Sequence, residues 1–173
     1  MKRLGILIIV MAGFLATASV AKADQISALL TGYEETPAAV STTASGEFRA
    51  TISDDGQSIN YTETYSGLQG TVTQSHIHVG QLGIGGSIVI WLCQTATNVD
   101  PTGLSPQCPQ EGTVTGKITA ANVIAGSQAP QQLNAGDLAA VVTAIRAGAT
   151  YANIHTTVSP GGEIRGQIRT VGK

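Results

Sequence analysis

The sequence predicts an all-β fold: an immunoglobulin-like or Greek-key antiparallel β-sandwich with one short edge helix at about residues 135–147. Apolar and polar residues alternate over several short runs, as expected of strands with one buried face. Glycine is frequent, at 21 of 173 residues, and only 12% of the residues are charged, which suits short strands joined by tight turns. A single segment near the carboxyl end instead has helical apolar spacing.

The first 23 residues have the pattern of a secretory signal peptide. A basic start precedes an uncharged apolar run, and the motif Ala-Lys-Ala ends at Ala23, where a signal peptidase would cut. An uncleaved membrane anchor is the alternative. The pattern predicts an exported protein, periplasmic or secreted, with one domain over residues 24–173 and no membrane span after cleavage.

The charge balance of the predicted mature chain is acidic. Removal of the leader leaves six Lys and Arg residues against eleven Asp and Glu residues, a net charge of about −5. Such a chain is a poor candidate for binding nucleic acid, which requires basic residues that neutralise phosphates. It also lacks the polybasic stretch that anionic lipids attract. With nucleic acid and anionic lipid set aside, the remaining class of partner is an extracytoplasmic protein.

The amino-terminal half predicts three antiparallel strands. Residues 25–30 form a first short run, and a turn-rich connection follows. The runs 46–53 and 58–68 both alternate, and the Asp-Asp-Gly turn between them predicts a half-buried hairpin. The residues predicted to face inward are Phe48, Ala50, Ile52, Ile59, Tyr61 and Tyr65.

The second half predicts five further strands. The run 87–93, SIVIWLC, is continuously apolar and predicts a central strand buried on both faces. A Pro-Gly turn, VSPGG, joins the last two strands. The remaining predicted strands are 72–80, 112–119, 150–157 and 162–170.

The helix prediction depends on one apolar stripe and on signals at both ends. Asn134 is a favourable N-cap, and Asp137 follows near the positive end of the helix. Arg146 lies in the last predicted turn and Gly148 just beyond it, as at a helix end. The stripe consists of Leu138, Val141, Val142 and Ile145.

Cys93 and Cys108 are the two cysteines of the chain. In an oxidising compartment an isolated pair forms a disulfide. This one would close a loop of about 15 residues, worth about 3 kcal/mol from chain entropy. Two unpaired thiols, one on a strand and one in a Pro-rich loop, are the alternative. The export signal favours the disulfide, which would clamp the long loop.

Histidine is rare, and its three positions stand in two similar strand-like contexts. The run SHIHVG contains His76 and His78, and NIHT contains His155. Residues two apart in a strand point to one face, so the first two imidazoles lie side by side. If the two strands are neighbours, three imidazoles converge at a spacing suited to metal–nitrogen bonds of about 2.0–2.1 Å. Neutral imidazole suits copper or zinc, and copper binds more tightly. The alternative is a set of half-buried histidines that only form hydrogen bonds.

Four further residues are candidates for orienting the histidines. Asn153 has the same two-residue spacing in the second motif, and Glu163 and Arg165 share one face of the last predicted strand. A carboxylate that bonds the free ring nitrogen would orient a ligating imidazole. A cross-strand ion pair or a solvated face is the alternative for this strand. Glu35, in a loop, is the second candidate carboxylate.

Four stretches together resemble the CHRD domain, a module first described as a repeat in chordin. The resemblance covers nearly all of residues 24–171, and its most specific part is the ending N-x-H-T…P-G-G-E-I-R-G-Q. The chain departs from the family at Val79-Gly80, where Gly-Pro is usual, and in the cysteine pair, which looks like an insertion. The resemblance implies an extracellular protein-binding context and, for single-domain bacterial members, a secreted fold more than an activity. The stretches are LTGYEETP, SGLQGTVTQSHIHVG, AAVVTAIRAG and YANIHTTVSPGGEIRGQI.

Three functions of different kinds fit these features. The main hypothesis is an exported binding module that holds copper or zinc through its three histidines. The second is a structural or protein-interaction module without a metal. The third is a copper redox enzyme similar to Cu/Zn superoxide dismutase, although that site needs more histidines than this chain has. The sequence contains no G-x-S-x-G motif and no clear carboxylate pair, so no catalytic residue is assigned.

Overall fold

The computed structural model describes residues 23–172. This part of the chain contains nine β-strands and one α-helix, joined by loops and short turns. The predicted signal peptide, apart from Ala23, lies outside the described residues. Short 3-10 turns occur at Gly32–Glu34, Ala120–Asn122 and Ala129–Gln131. The elements are β1 (Asp24–Thr31), β2 (Ser45–Ile52), β3 (Ile59–Ser66), β4 (Val72–Val79), β5 (Ser87–Cys93), β6 (Gly112–Ile118), α1 (Leu138–Arg146), β7 (Thr150–Thr156), β8 (Ile164–Gln167) and β9 (Arg169–Thr170).

The described strands form one antiparallel sheet. Its order is β5-β4-β7-β8-β1-β2-β3-β6, and β9 pairs with β1. The sheet curves until its two edges approach each other, since Ile90 of β5 forms a bridge with Val123, just after β6. The prediction of an all-β antiparallel fold is confirmed. The immunoglobulin-like or Greek-key sandwich is not confirmed, because these strands form one nearly closed sheet instead of two packed ones.

The inner surface of the sheet holds the hydrophobic core. Burial alternates residue by residue along β3, as the sequence pattern predicted. The rings of Phe48 and Tyr61 stack with centroids 6.3 Å apart, and each large apolar side chain buried here contributes about 1.5–3 kcal/mol. The six residues predicted to face inward are all buried, namely Phe48, Ala50, Ile52, Ile59, Tyr61 and Tyr65.

The apolar strand β5 is buried for a different reason from the one predicted. It is an edge strand of the sheet, so the prediction of a central strand is wrong. Its open side is covered because the sheet curves: the Tyr61 hydroxyl donates to the Leu92 carbonyl at 2.6 Å, and the Ile124 N–H donates to the Val89 carbonyl at 2.9 Å. An edge strand that receives such bonds can be as apolar as a central one.

The helix α1 starts later than the sequence predicted. Asp137, not Asn134, is the N-cap, and its carboxylate accepts from the Ala140 N–H at 2.9 Å. The chain bends before this point at Gly136, whose φ is +80°, so Asn134 precedes the bend and does not cap the helix. The predicted stop at Gly148, with φ +69°, is confirmed. Among residues 23–172 no helix is long and apolar enough to cross a bilayer.

The structure joins Cys93 to Cys108, with Cα atoms 5.0 Å apart across a separation of 15 residues. Backbone and side-chain bonds also order this loop. The Cys108 N–H donates to the Gln94 carbonyl at 2.8 Å, and the Gln94 amide donates to the Ser105 carbonyl at 2.6 Å. Asp100 accepts from the Ser105 N–H at 2.9 Å. The loop therefore does not depend on the sulfur bridge alone.

The double variant Cys93→Ser/Cys108→Ser should lower the free energy of unfolding by less than the full chain-entropy value of about 3 kcal/mol. The loop hydrogen bonds persist in the variant and keep part of the order. Urea unfolding of both proteins measures the difference. The intact mass of the exported wild type under non-reducing conditions should be two hydrogens below that of the reduced chain, and free thiols after export would contradict the clamp.

One carboxyl group lies inside the core. Glu63 belongs to the inward row of β3 and is 0% exposed. Its Oε1 lies 2.9 Å from the hydroxyl of Ser75 on β4, and its Oε2 has no hydrogen-bond partner among the described residues. Ser75 also lies 3.1 Å from the Asn153 carbonyl, which can only accept, so its single hydrogen cannot serve both oxygens. Burial raises the pKa of Glu63 to about 8, and the Ser75 bond lowers it only in part.

Stability should therefore fall as pH rises through the range in which Glu63 is protonated only in the folded state. The group ionises near pH 4.5 when unfolded and near 8 when folded, so raising the pH across this window favours the unfolded chain. The expected slope is about 1.4 kcal/mol per pH unit from this group. Urea unfolding at several pH values should give a flatter curve for Glu63→Gln than for the wild type. Parallel curves would show that Glu63 is ionised in the fold.

Candidate metal centre

The three histidines meet because β4 and β7 are neighbours. In the antiparallel register His76 lies opposite Asn153, His78 opposite Tyr151, and His155 opposite Gln74. His76 and His78 therefore share one face of the sheet with residues 151, 153 and 155 of β7. The predicted convergence of the two histidine motifs is confirmed, and all three imidazoles are buried.

The spacing of the imidazoles suits one metal ion. His76 Nδ1 lies 3.3 Å from His155 Nε2, and one donor nitrogen from each of the three histidines lies within 4.8 Å of the others. Nitrogens bonded to one ion at about 2.0–2.1 Å are at most about 4.2 Å apart. Small side-chain shifts are thus enough to bring all three nitrogens to ligand distance.

Backbone carbonyls orient two of the rings. His78 Nδ1 lies 3.0 Å from the Gly86 carbonyl, and His155 Nδ1 lies 3.0 Å from the Pro160 carbonyl. A carbonyl can only accept, so these contacts hold the proton on Nδ1 and leave the lone pair on Nε2. Nε2 of His78 has no partner among the described residues, whereas His76 has its Nδ1 beside His155 Nε2 and its Nε2 unpartnered. A buried lone pair with the opposite nitrogen bonded to a carbonyl, as in His78, is the usual arrangement of a metal-binding histidine.

The electrostatics of the cluster keep the rings neutral. Burial lowers the pKa of all three imidazoles, and it brings that of His78 to about 4. For His76 the neighbouring His155 and His78 lower the pKa further. At neutral pH the three rings are therefore unprotonated on one nitrogen each, which is the state that binds a metal.

Two aromatic rings enclose the cluster, and neither was predicted as a site residue from the sequence. The Trp91 ring meets His76 edge-on at a centroid distance of 4.3 Å, and Tyr151 stacks on His78 at 4.6 Å. Tyr151 stands two residues before Asn153, so strand periodicity would have placed it on the same face. The position of Trp91 could not be predicted from strand periodicity, because the β4–β5 register has irregularities on both sides of His76–Ile77.

Arg165 was predicted to lie beside the histidines, but the ring of Tyr151, which stacks on His78, contacts its guanidinium group. It is 1% exposed, and its guanidinium carbon sits 3.4 Å from the centroid of the Tyr151 ring. It donates to the Thr36 hydroxyl at 2.7 Å and to the Ile84 carbonyl at 3.0 Å. These bonds tie two loops, 33–36 and 81–86, across the histidine face. The alternative of a solvated face is wrong for Arg165, because the loops cover it.

Glu163 has a different role from the one predicted. It is buried, but it accepts hydrogen bonds from the Thr42 hydroxyl at 3.0 Å, the Gln69 N–H at 2.8 Å and the Thr156 hydroxyl at 2.7 Å. Although burial opposes ionisation, these bonds lower the pKa of Glu163. None of the bonds reaches a histidine. Glu163 therefore fixes loops to the end of β7 and does not orient an imidazole directly.

Asn153 contacts the histidine cluster, and Glu35 lies on the far side of the Asn153 amide. Asn153 Oδ1 is 3.1 Å from His155 Nε2. Burial raises the pKa of Glu35 to about 7, while the Arg165 guanidinium, the Thr36 N–H and the Asn153 amide lower it. A side chain at Gly162, with φ +129°, would meet Glu35 Oε1 at 2.4 Å, so this turn accepts only glycine.

The family profile of the CHRD domain matches residues 26–168. The chain belongs to the CHRD family. The match includes both histidine motifs and the strand that carries Arg165, so the cluster lies wholly within the CHRD domain. No curated protein and no solved structure matches the chain significantly.

Proposed function

We propose that this chain is an exported CHRD-domain binding module that holds one copper or zinc ion through His76, His78 and His155. Residues 1–23 would direct export to the periplasm or the exterior. The ion would be bound by neutral imidazole nitrogens, with His78 and His155 each held by a backbone carbonyl on the opposite ring nitrogen. The enclosure by Trp91 and Tyr151 favours retention of an ion over rapid exchange.

The surroundings of His155 are the observation that carries this proposal. Its two ring nitrogens each face an acceptor oxygen: Nδ1 faces the Pro160 carbonyl at 3.0 Å, and Nε2 faces Asn153 Oδ1 at 3.1 Å. A neutral imidazole has one hydrogen and can satisfy one of these contacts. When Nδ1 holds that hydrogen toward the Pro160 carbonyl, Nε2 presents a lone pair to His76 Nδ1 at 3.3 Å and to Asn153 Oδ1, the state in which an imidazole binds a metal. Burial lowers the pKa of His155, which disfavours a second proton on the ring and supports the metal-binding state.

The test is a titration of the protein exported by its own leader and purified without a histidine tag. We expect Zn(II) or Cu(II) to saturate near one equivalent. The chain has one tryptophan, and its ring lies 4.3 Å from His76, so Cu(II) should quench its fluorescence in step with binding. The triple variant with alanine at the three histidine positions is the control. Equal binding by the triple variant, or none by the wild type, would contradict the proposal.

A second function, a protein-interaction module, is favoured by the outer surface of the covering loops. Tyr33, Leu82 and Ile84 are 71%, 58% and 56% exposed, and the last two flank the Gly83 turn. Arg165 donates to carbonyls on either side of that turn, at Gln81 and Ile84. An extracytoplasmic protein that binds these apolar side chains would sit above the histidine cluster.

A further inference from the structure

Asn153 occupies the centre of the histidine face. It stands opposite His76 in the β4–β7 register and two residues before His155 on the same strand. It is 2% exposed. Its Oδ1 lies 3.1 Å from His155 Nε2, and the same His155 nitrogen lies 3.3 Å from His76 Nδ1. The amide oxygen therefore lies beside the point at which imidazoles of β4 and β7 meet.

The nitrogen end of the Asn153 amide lies on the side of Glu35, and the oxygen end lies on the side of His155. The space above Gly162 is bordered by both Glu35 Oε1 and Asn153 Nδ2, at 2.4 Å and 2.8 Å from the same ideal Cβ position. An amide nitrogen beside a carboxyl is the favourable orientation, because the nitrogen donates and the oxygens accept. The opposite atom, Oδ1, then points its lone pairs at the cluster.

We propose that Asn153 Oδ1 is a fourth ligand of the metal ion, so that the centre has three nitrogen donors and one oxygen donor. This inference rests on the proposed function. With Nδ1 of His155 donating to Pro160, Oδ1 and Nε2 are two lone-pair atoms 3.1 Å apart with no hydrogen between them. Atoms bonded to one ion at about 2.0–2.2 Å have such a separation.

The fourth ligand determines which ion the centre prefers. A carbonyl-type oxygen is a hard donor that suits divalent ions, whereas Cu(I) selects soft donors and is satisfied by two or three imidazoles. Four protein ligands also close a zinc site, as in structural centres. The oxygen should therefore add to the affinity for Zn(II) and Co(II) and add nothing for Cu(I).

The experiment compares the exported wild type with Asn153→Leu, Asn153→Asp and the control Gln167→Leu. Gln167 is a buried amide on β8, opposite Tyr151, whose nitrogen bonds the Gly80 and Gly148 carbonyls at 3.0 and 2.8 Å and no histidine. Zn(II) and Cu(I) affinities are measured by competition with chromophoric chelators, and Co(II) loading is followed by visible absorption. We expect Asn153→Leu to weaken Zn(II) binding by at least about tenfold and Cu(I) binding by less than about threefold. Asn153→Asp should retain Zn(II) binding with an altered Co(II) spectrum, and Gln167→Leu should match the wild type.

Retained Cu(I) binding shows that the histidine cluster of a variant is intact, so a selective loss of Zn(II) affinity identifies a lost ligand. A parallel loss of both affinities would mean that Asn153 only positions His155 and would overturn the inference, as would no change in either. If Asn153→Leu does not fold, Asn153→Asp decides alone, because an unchanged Co(II) spectrum excludes ligation by residue 153. Failure of the wild type to bind any of the three ions would overturn the proposed function itself.

Discussion

Replacing His155 with alanine is expected to lower metal affinity by at least about 100-fold. His155 is the only histidine contributed by β7, and the other two lie side by side on β4. A pair of imidazoles two apart on one strand binds copper weakly, since each lost ligand removes a bond that the buried ion cannot replace with water. Removal of a residue that only supports a ligand costs about 10–100-fold, and removal of a ligand should cost more.

The same measurement applied to His76→Ala and His78→Ala should give losses of similar size. Glu111→Gln, at an exposed position outside the histidine face, is the matched control and should bind metal as the wild type does. Glu163→Gln should also bind normally, because that carboxylate bonds Thr42, Gln69 and Thr156 and no histidine. Unchanged affinity in His155→Ala would show that the two motifs do not act as one centre.

Replacing Arg165 with leucine is expected to lower the free energy of unfolding by about 2–5 kcal/mol, since each hydrogen bond to a charged group contributes about 1.5–3 kcal/mol. The guanidinium is 1% exposed, lies over the Tyr151 ring and donates to Thr36 and Ile84. Its loss leaves these acceptors unpaired and removes the positive charge that lowers the pKa of Glu35.

Arg49→Leu is the matched control for Arg165→Leu. Arg49 lies on the outer face of β2, where 69% of its side chain is exposed and it pairs with Glu47. Exposed ion pairs contribute little because water screens them, so the control should unfold at the wild-type urea concentration. If both variants are equally stable, Arg165 does not hold the two loops across the histidine face.

Local periodicity predicted which side chains of the histidine cluster share a face of each strand. The i, i+2 spacing of His76 and His78 fixed their common face, and the same rule applied to Asn153 and His155. The neighbouring position of β4 and β7 was a condition of that prediction, and the structure meets it. The short helix was also predicted from its stripe, although Gly136 moved its start to Asp137.

The buried charged residues could not be predicted in the same way. The alternation in β3 puts Glu63 in the inward row of Tyr61 and Tyr65, but it does not show that this row closes around the carboxyl group so completely that one oxygen has no partner among the described residues. Arg165 depends on two distant loops that cover its strand. Burial of a charge is a property of the closed tertiary structure, and no short window of sequence contains it.

The pairing of β4 with β7 also determines when the centre can exist. His76 and His155 are 79 residues apart in the chain, so they meet only after a long-range strand pairing that comes late in the ordering of the chain. A partly folded or nascent chain lacks the complete ligand set. An ion at the proposed centre would therefore bind the finished fold in preference to the unfolded ensemble, and mass action would make it a stabiliser. Each tenfold rise of free metal above the Kd adds about 1.4 kcal/mol to the free energy of unfolding.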